Sequence, residues 1–280
     1  MKTALLFPGQ GAQAVGMGAD VYQAYPEARR IFDEADEILG FALSRLCFEG
    51  PENELTDTAN AQPAILVTSL AFYQIVGARF SDVDCMAGHS LGEYTALVAG
   101  GALDLADAVR LTRQRGEWMK RAGERSPGGM AAVLNLEDGA LEAVCRQAAE
   151  ETGGVVQIAN YNSPGQIVIS GDKATLDKAC ELAKERGARR VIPLAVSVAT
   201  HSPLMGYASD GLKKAIEAAV ISAPRVPVIG NVSAEPLLSA EAIKREMMAQ
   251  LTSPVRWTSS VQTMVGRGVT RFVEIGPGNV

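Results

Sequence analysis

A largely apolar run at 83–88 (VDCMAG) ends in Gly88-His89-Ser90-Leu91-Gly92, and helical text follows at once. A G-x-S-x-G pentapeptide set between a strand and a helix demands a sharp turn, because only small residues beside the serine let the backbone double back. Such a turn belongs on a parallel α/β sheet, whose strands are buried on both faces and read as continuous apolar runs. It also puts Ser90 at a helix N-terminus, where main-chain N–H groups favour developing negative charge. A serine that merely caps a helix has similar local letters; the strand before and the helix after favour a nucleophile.

The remaining text is consistent with that sheet. The opening TALLF, stopped by Pro8 and Gly9, reads as a buried parallel strand leading into a functional loop. In 26–39, Ile31, Phe32, Ala35, Ile38 and Leu39 form one helical stripe, with Asp33 and Glu34 on solvated positions. The segment 58–78 carries no charge, yet Asn60, Gln62, Pro63, Ser69, Tyr73 and Gln74 make it too polar for a membrane span. A buried core helix beginning near Pro63 is expected instead. Helical text then runs from Ser90 to about Glu124.

From Gly129 the pattern becomes strand (MAAVLNL), helix (137–151), strand (VVQIAN), strand (QIVIS), helix (172–186) and strand (RRVIPL), with SPG at 163–165 as the central turn. That βαββαβ order predicts a ferredoxin-like unit. A helix over 202–219, the strand VPVIG, helices near 239–251 and 257–267 and the strand RFVEI complete the chain. The expected architecture is α/β: a parallel-sheet, hydrolase-like main domain of 1–126 and 196–280, interrupted by a ferredoxin-like subdomain of 127–195. The cleft between two such units is a preferred ligand site. The strand before GPGN is expected to lead into further structure, so that the sequence reads as truncated after Val280.

A net charge of −6 argues against a general binder of nucleic acid or anionic membranes, which would need a positive field. Cys47, Cys85, Cys145 and Cys180 are widely spaced, with no CxxC pair and no histidine cluster. They read as reduced, buried thiols of a cytosolic protein, and no zinc site is expected. The N-terminal apolar stretch is too short and wrongly flanked for a signal peptide.

A serine hydroxyl needs a base within hydrogen-bond reach, and histidine is the usual one. The chain has two histidines. His89 adjoins Ser90 and is expected to turn away from its hydroxyl; His201 opens a main-domain helix and is free to converge on it. No carboxylate has a recognisable place as the third member of a triad, which leaves a backbone or side-chain carbonyl to hold the imidazole tautomer. Arg115 has helical neighbours Leu111 and Met119, and on residues alone it reads as an arginine snorkelling over that apolar stripe.

Several motifs together carry a resemblance that covers nearly the whole chain: FPGQG at 7–11, QPA at 62–64, GHSLGE at 88–93, Arg115-Gly116, NYNSPGQIVISG at 160–171, VSVATHSPLM at 196–205, QLTSPVRW at 250–257 and EIGPG at 274–278. In this order they resemble the malonyl-CoA:acyl carrier protein transacylases. The resemblance implies that Ser90 is acylated, that His201 activates it, and that Gln10 and Leu91 supply oxyanion-hole N–H groups. It also implies that Arg115 holds the free carboxylate of the substrate and that Gln250 orients His201 through its backbone carbonyl. Gln62 and Asn160, within their motifs, join Arg115 and Gln250 as expected substrate-binding residues. Leu91 is the residue of malonyl-selective members, where methylmalonyl-selective relatives often carry glutamine.

The implied substrates are malonyl-CoA and the phosphopantetheine thiol of an acyl carrier protein, with no metal or redox cofactor. A docking patch for an acidic carrier is expected at Arg186, Arg189 and Arg190, where the second helix of the subdomain turns into its last strand. Three other readings share parts of this pattern. A serine thioesterase has the elbow and base but admits water, a polyketide-loading acyltransferase has the same chemistry and fold, and a non-catalytic scaffold would have no use for Ser90, His201 and Arg115.

Overall fold

The computed structural model describes residues 2–80, 82–196 and 198–278; the continuation expected beyond Val280 lies outside them. The chain opens with β1 (Lys2–Phe7) and the helices α1 (Ala19–Ala24), α2 (Pro26–Leu39), α3 (Leu43–Glu49), α4 (Glu52–Thr56) and α5 (Thr58–Val76). Then come β2 (Val83–Gly88), α6 (Gly92–Ala99) and α7 (Leu105–Arg125). The middle of the chain forms β3 (Gly128–Leu134), α8 (Asp138–Thr152), β4 (Val156–Ser163), β5 (Gln166–Asp172), α9 (Lys173–Glu185) and β6 (Arg190–Pro193). The last part gives α10 (Gly206–Ala218), β7 (Val228–Ile229), β8 (Pro236–Leu237), α11 (Ala240–Gln250), α12 (Trp257–Gly266) and β9 (Val269–Glu274).

The larger sheet has the order β8-β7-β2-β1-β9. Its pairs are parallel except β7 with β8; a short antiparallel edge is thus added to the expected parallel sheet. β1 and β2 end together, Phe7 opposite Gly88, so the FPGQG loop and the serine elbow leave the sheet side by side. The smaller sheet, β4-β5-β3-β6, is antiparallel throughout and follows the expected βαββαβ order. Its core is its own, with Leu141, Val144, Ile158, Ile169, Leu176 and Leu182 packed together.

Three expected boundaries move, each for a local reason. The core helix begins at Thr58 rather than near Pro63, because the Asp57 carboxylate accepts the Ala59 N–H and caps it. Pro63 then lies inside the helix, where it has no N–H for the Ala59 carbonyl; Arg113 Nη1 donates to that oxygen at 3.2 Å. The helical text after Ser90 is two helices, broken at Gly101 with φ +78° and restarted by the Asp104 side chain accepting the Asp107 N–H. The helix expected from Ser202 starts as a 3-10 turn, Pro203–Met205, before α10. The short helices α1, α3 and α4 were not anticipated, since five to seven residues are too few to show a period. α5, uncharged and long, is a core helix: residues 59–71 are buried apart from Asn60.

Candidate active site

Ser90 occupies the turn from β2 into α6 with φ +51°, a left-handed conformation that costs a non-glycine residue about 1–3 kcal/mol. The turn is so tight that a Cβ on Gly88 would lie 1.9 Å from the carbonyl group of Gly92, and one on Gly92 would lie 2.3 Å from the Phe7 oxygen. Both glycines of the pentapeptide are therefore fixed by main-chain contact. In this conformation the Ser90 hydroxyl faces His201.

His201 Nε2 stands 2.9 Å from Ser90 Oγ. On the other side of the ring, Nδ1 faces the carbonyl oxygens of Gln250 at 2.9 Å and Ser253 at 3.2 Å. Carbonyls only accept, so Nδ1 carries the proton and Nε2 keeps its lone pair for the serine. The ring is oriented by backbone rather than by a carboxylate. Burial, and then the Arg115 charge, pull the His201 pKa down from its usual value to about 3. The imidazole is consequently neutral in the free protein.

Arg115 is 1% exposed and is the largest fully buried side chain. The surface arginine suggested by its residue neighbours is thus corrected: α7 turns it inward, under the elbow. Its Nη1 donates to Gln62 Oε1 at 2.8 Å, and its Nη2 to Gln250 Oε1 at 3.0 Å and to Ser90 Oγ at 3.1 Å. Among the described residues Nε has no partner and no carboxylate forms an ion pair with the guanidinium. Its direct acceptors are neutral, and the Tyr94 ring lies 5.6 Å away. A buried cation left without a contacting anion carries a desolvation cost that an incoming carboxylate would offset.

Of the remaining expected residues, Leu91 is buried at the start of α6, and its N–H has no acceptor among the described residues. Gln10 lies in the neighbouring loop, where a Cβ on Gly9 would meet the His89 carbonyl at 2.4 Å; its side chain accepts from Thr58. Asn160 is buried on β4 and pairs with Val255 across the seam between the sheets, but makes no side-chain hydrogen bond to Ser90, His201 or Arg115. His89 turns away as expected, to Asn162 Oδ1 at 2.9 Å and the Trp257 ring. Arg186, Arg189 and Arg190 are exposed around β6, the edge of the small sheet opposite β4.

Two residues at the centre of the site were missed by the sequence reading. Asn231 Oδ1 accepts the Ser90 N–H at 2.6 Å, and Glu93 receives the Asn231 N–H at 2.7 Å and Gln250 Nε2 at 3.0 Å. Burial, then the neighbouring Glu246, push the Glu93 carboxyl well above the usual range, against the pull of Asn231, Arg115 and Gln250. A signal was present for each. Glu93 is the one charge in the apolar GEYTALVA helix, and Asn231 follows a strand whose parallel neighbour ends at the elbow.

An α/β sheet bearing a serine at a strand-to-helix elbow, in hydrogen-bond contact with a histidine, defines the broad class of enzymes built on a nucleophilic serine. Residues 4–280 match the family described as Acyl transferase domain, and the chain belongs to that family. It is 50% identical over 279 residues to the malonyl CoA-acyl carrier protein transacylase of Bacillus subtilis (strain 168), covering 100% of this chain and 88% of that protein. Against the same-named protein of Escherichia coli (strain K12) it is 44% identical over 278 residues, covering 99% and 89%. An acyl carrier protein S-malonyltransferase from Vibrio cholerae superposes with a TM-score of 0.96 at 43% identity, covering 99% of this chain and 90% of that one. A type II PKS acyl-carrier protein in complex with its malonyl-transacylase gives 0.95 at 40% identity, covering 99% and 90%.

Proposed function

We propose that this chain transfers a malonyl group from malonyl-CoA to the phosphopantetheine thiol of an acyl carrier protein through an acyl-enzyme on Ser90. The observation that carries the reading is the buried Arg115 guanidinium, 3.1 Å from Ser90 Oγ and held by neutral amides. A planar guanidinium grips a carboxylate bidentately, and this one sits where the far end of a three-carbon diacid would fall. Water-admitting thioester hydrolysis has no use for such a clamp.

In the first half-reaction Ser90 Oγ attacks the thioester carbonyl while His201 Nε2 takes its proton. Ser90 N–H is occupied by Asn231, so the tetrahedral oxyanion is assigned to the N–H groups of Leu91 and Gln10; one such donor is typically worth about 10²- to 10³-fold in rate. The C–S bond breaks and the coenzyme A sulfur leaves with the proton from His201. In the second half the carrier thiol gives its proton to His201, its sulfur attacks the Ser90 ester, and Ser90 Oγ regains the proton as the ester C–O bond breaks. Each half moves one proton and no electrons between centres, so the chemistry calls for no redox cofactor, and His201 and the N–H pair fill the roles of base and oxyanion stabiliser. Gln62 and Gln250 serve by fixing Arg115, and Asn160 is assigned to the wall of the cleft between the sheets.

The fold supports a finer division: a hydrolase-like domain of 1–126 and 196–280, with a ferredoxin-like subdomain of 127–195 that has the strand order β4-β5-β3-β6 and its own core. Free cysteines Cys47, Cys85, Cys145 and Cys180 favour a cytoplasmic setting. The carrier belongs to fatty-acid or polyketide synthesis, two settings with one chemistry. The test is to mix the protein with malonyl-, methylmalonyl- and acetyl-CoA and weigh the covalent adduct by mass spectrometry. A malonyl adduct is expected, absent in Ser90→Ala and formed orders of magnitude more slowly in His201→Ala. A stable malonyl adduct on Ser90→Ala would overturn the assignment.

A further inference from the structure

Both main-chain polar groups of Ser90 are held by side chains. The N–H donates to Asn231 Oδ1 at 2.6 Å, and the carbonyl accepts from Gln250 Nε2 at 3.0 Å. Each of these side chains belongs to a residue bound to one oxygen of Glu93: Gln250 Nε2 reaches Oε1 at 3.0 Å and the Asn231 main-chain N–H reaches Oε2 at 2.7 Å. Asn231 Nδ2 also donates to the Gly88 carbonyl at 2.8 Å. The serine in its left-handed conformation is therefore gripped from both ends by a clamp whose two jaws meet on one fully buried carboxyl group.

The same carboxyl group steadies the Gln250 amide. Arg115 only donates and the Ser90 carbonyl only accepts, so Gln250 Oε1 faces Arg115 at 3.0 Å and Nε2 faces Ser90; Glu93 Oε1 accepts from the same Nε2 at 3.0 Å and anchors the amide in that direction. Gln250 also lends its backbone oxygen to His201 Nδ1. One carboxyl group is thus connected, through a single intervening residue, to the nucleophile, the base and the guanidinium.

The geometry points to Glu93 as the positioning residue of this site: it holds Ser90 in its strained conformation through Asn231 and Gln250, and it anchors the Gln250 amide whose oxygen meets Arg115. This role rests on Ser90 being the residue acylated. Glu93 touches no reacting atom and acts through its two partners.

Glu93→Gln keeps the shape and replaces one acceptor by an NH₂ group, so that either Gln250 Nε2 or the Asn231 N–H must face a donor. Two readouts test the consequence in folded protein. One is the rate at which Ser90 is labelled by an uncharged organophosphonate, which reads nucleophile geometry without any acyl-CoA. The other is the ratio of malonyl to acetyl adduct formed from the two thioesters. Glu93→Gln is expected to slow labelling by about 10- to 100-fold, as for a displacement of up to 1 Å, and to reduce the malonyl-to-acetyl ratio. Labelling at the wild-type rate with an unchanged ratio overturns the role, whatever the change in melting temperature. If Glu93→Gln does not fold, Asn231→Leu carries the same labelling measurement on the other jaw, with the same loss expected and the same result overturning it. Wild-type protein that takes no label on Ser90 would overturn the nucleophile reading itself.

Discussion

Arg115 Nη2 lies 3.1 Å from Ser90 Oγ, and the same guanidinium helps to hold the His201 pKa down. A carboxylate seated on Arg115 cancels part of that positive charge. Under the proposed function, a substrate whose carboxylate sits on Arg115 would therefore also raise the basicity of His201.

Arg115→Ala should depress malonyl transfer far more than acetyl transfer, because only the first substrate has a carboxylate to lose its partner. Selectivity measured by competing the two thioesters should fall or invert. Arg115→Lys should not restore it, since an ammonium cannot keep the Gln62 and Gln250 contacts in one plane. Equal losses with both substrates would make the residue structural.

The pH profile follows from the sign of the His201 shift. Its pKa of about 3 lies below the usual imidazole value, so the base stays neutral and competent as the pH falls through 6. Rapid-quench acylation should show no loss there, and the acidic limb of the single-turnover rate at saturation should lie at higher pH for malonyl-CoA than for acetyl-CoA. Stability has the complementary dependence. The unfolded chain binds a proton that the native His201 refuses, so this contribution is full above the ordinary histidine pKa and is lost as pH falls from there toward 3.

Gly88→Ala places a Cβ 1.9 Å from the Gly92 main chain, which has no room to retreat. Destabilisation of at least about 1–3 kcal/mol is expected in denaturant melts, with loss of Ser90 labelling. Gly139→Ala, in the first turn of α8 with nothing within 4 Å of its new methyl group, is the control and should be neutral or stabilising by up to about 1 kcal/mol.

Reversal of Arg189 and Arg190 to glutamate tests where the carrier docks. If the exposed cluster steers an acidic carrier, its Michaelis constant should rise with ionic strength and with the reversal, while acylation by malonyl-CoA is unchanged. Both residues lie by the edge strand opposite β4. Unchanged carrier kinetics would move the docking surface away from this edge.

What was legible in the sequence was what short-range chemistry encodes. Strand β2 and helix α2 fall at their expected bounds because apolar period and punctuation agree there. The approach of His201 to Ser90 was legible because the elbow pentapeptide has a specific context and the chain has only two histidines. The inward turn of Arg115 was not evident from its neighbours, since a stripe beside Leu111 and Met119 serves a snorkelling and a buried arginine equally; the family resemblance supplied it. Glu93 and Asn231 were missed because their meaning lies in partners 138 and 141 residues apart from Asn231. Pro63 misled because the carbonyl it orphans is rescued by Arg113, from another helix.

β1, the first described strand, is flanked by β2 on one side and β9 on the other. Local helices and the small antiparallel sheet can form as they are synthesised, but β1 keeps one edge open until residues 269–274 arrive to pair with 2–6. During synthesis that bare edge is a template for misplaced strands, and closing it is the most distant pairing the fold requires. Completion of the main sheet thus waits on the last described strand: a chain halted before it would already carry Ser90, His201 and Gln250 yet lack the strand that covers this edge of β1.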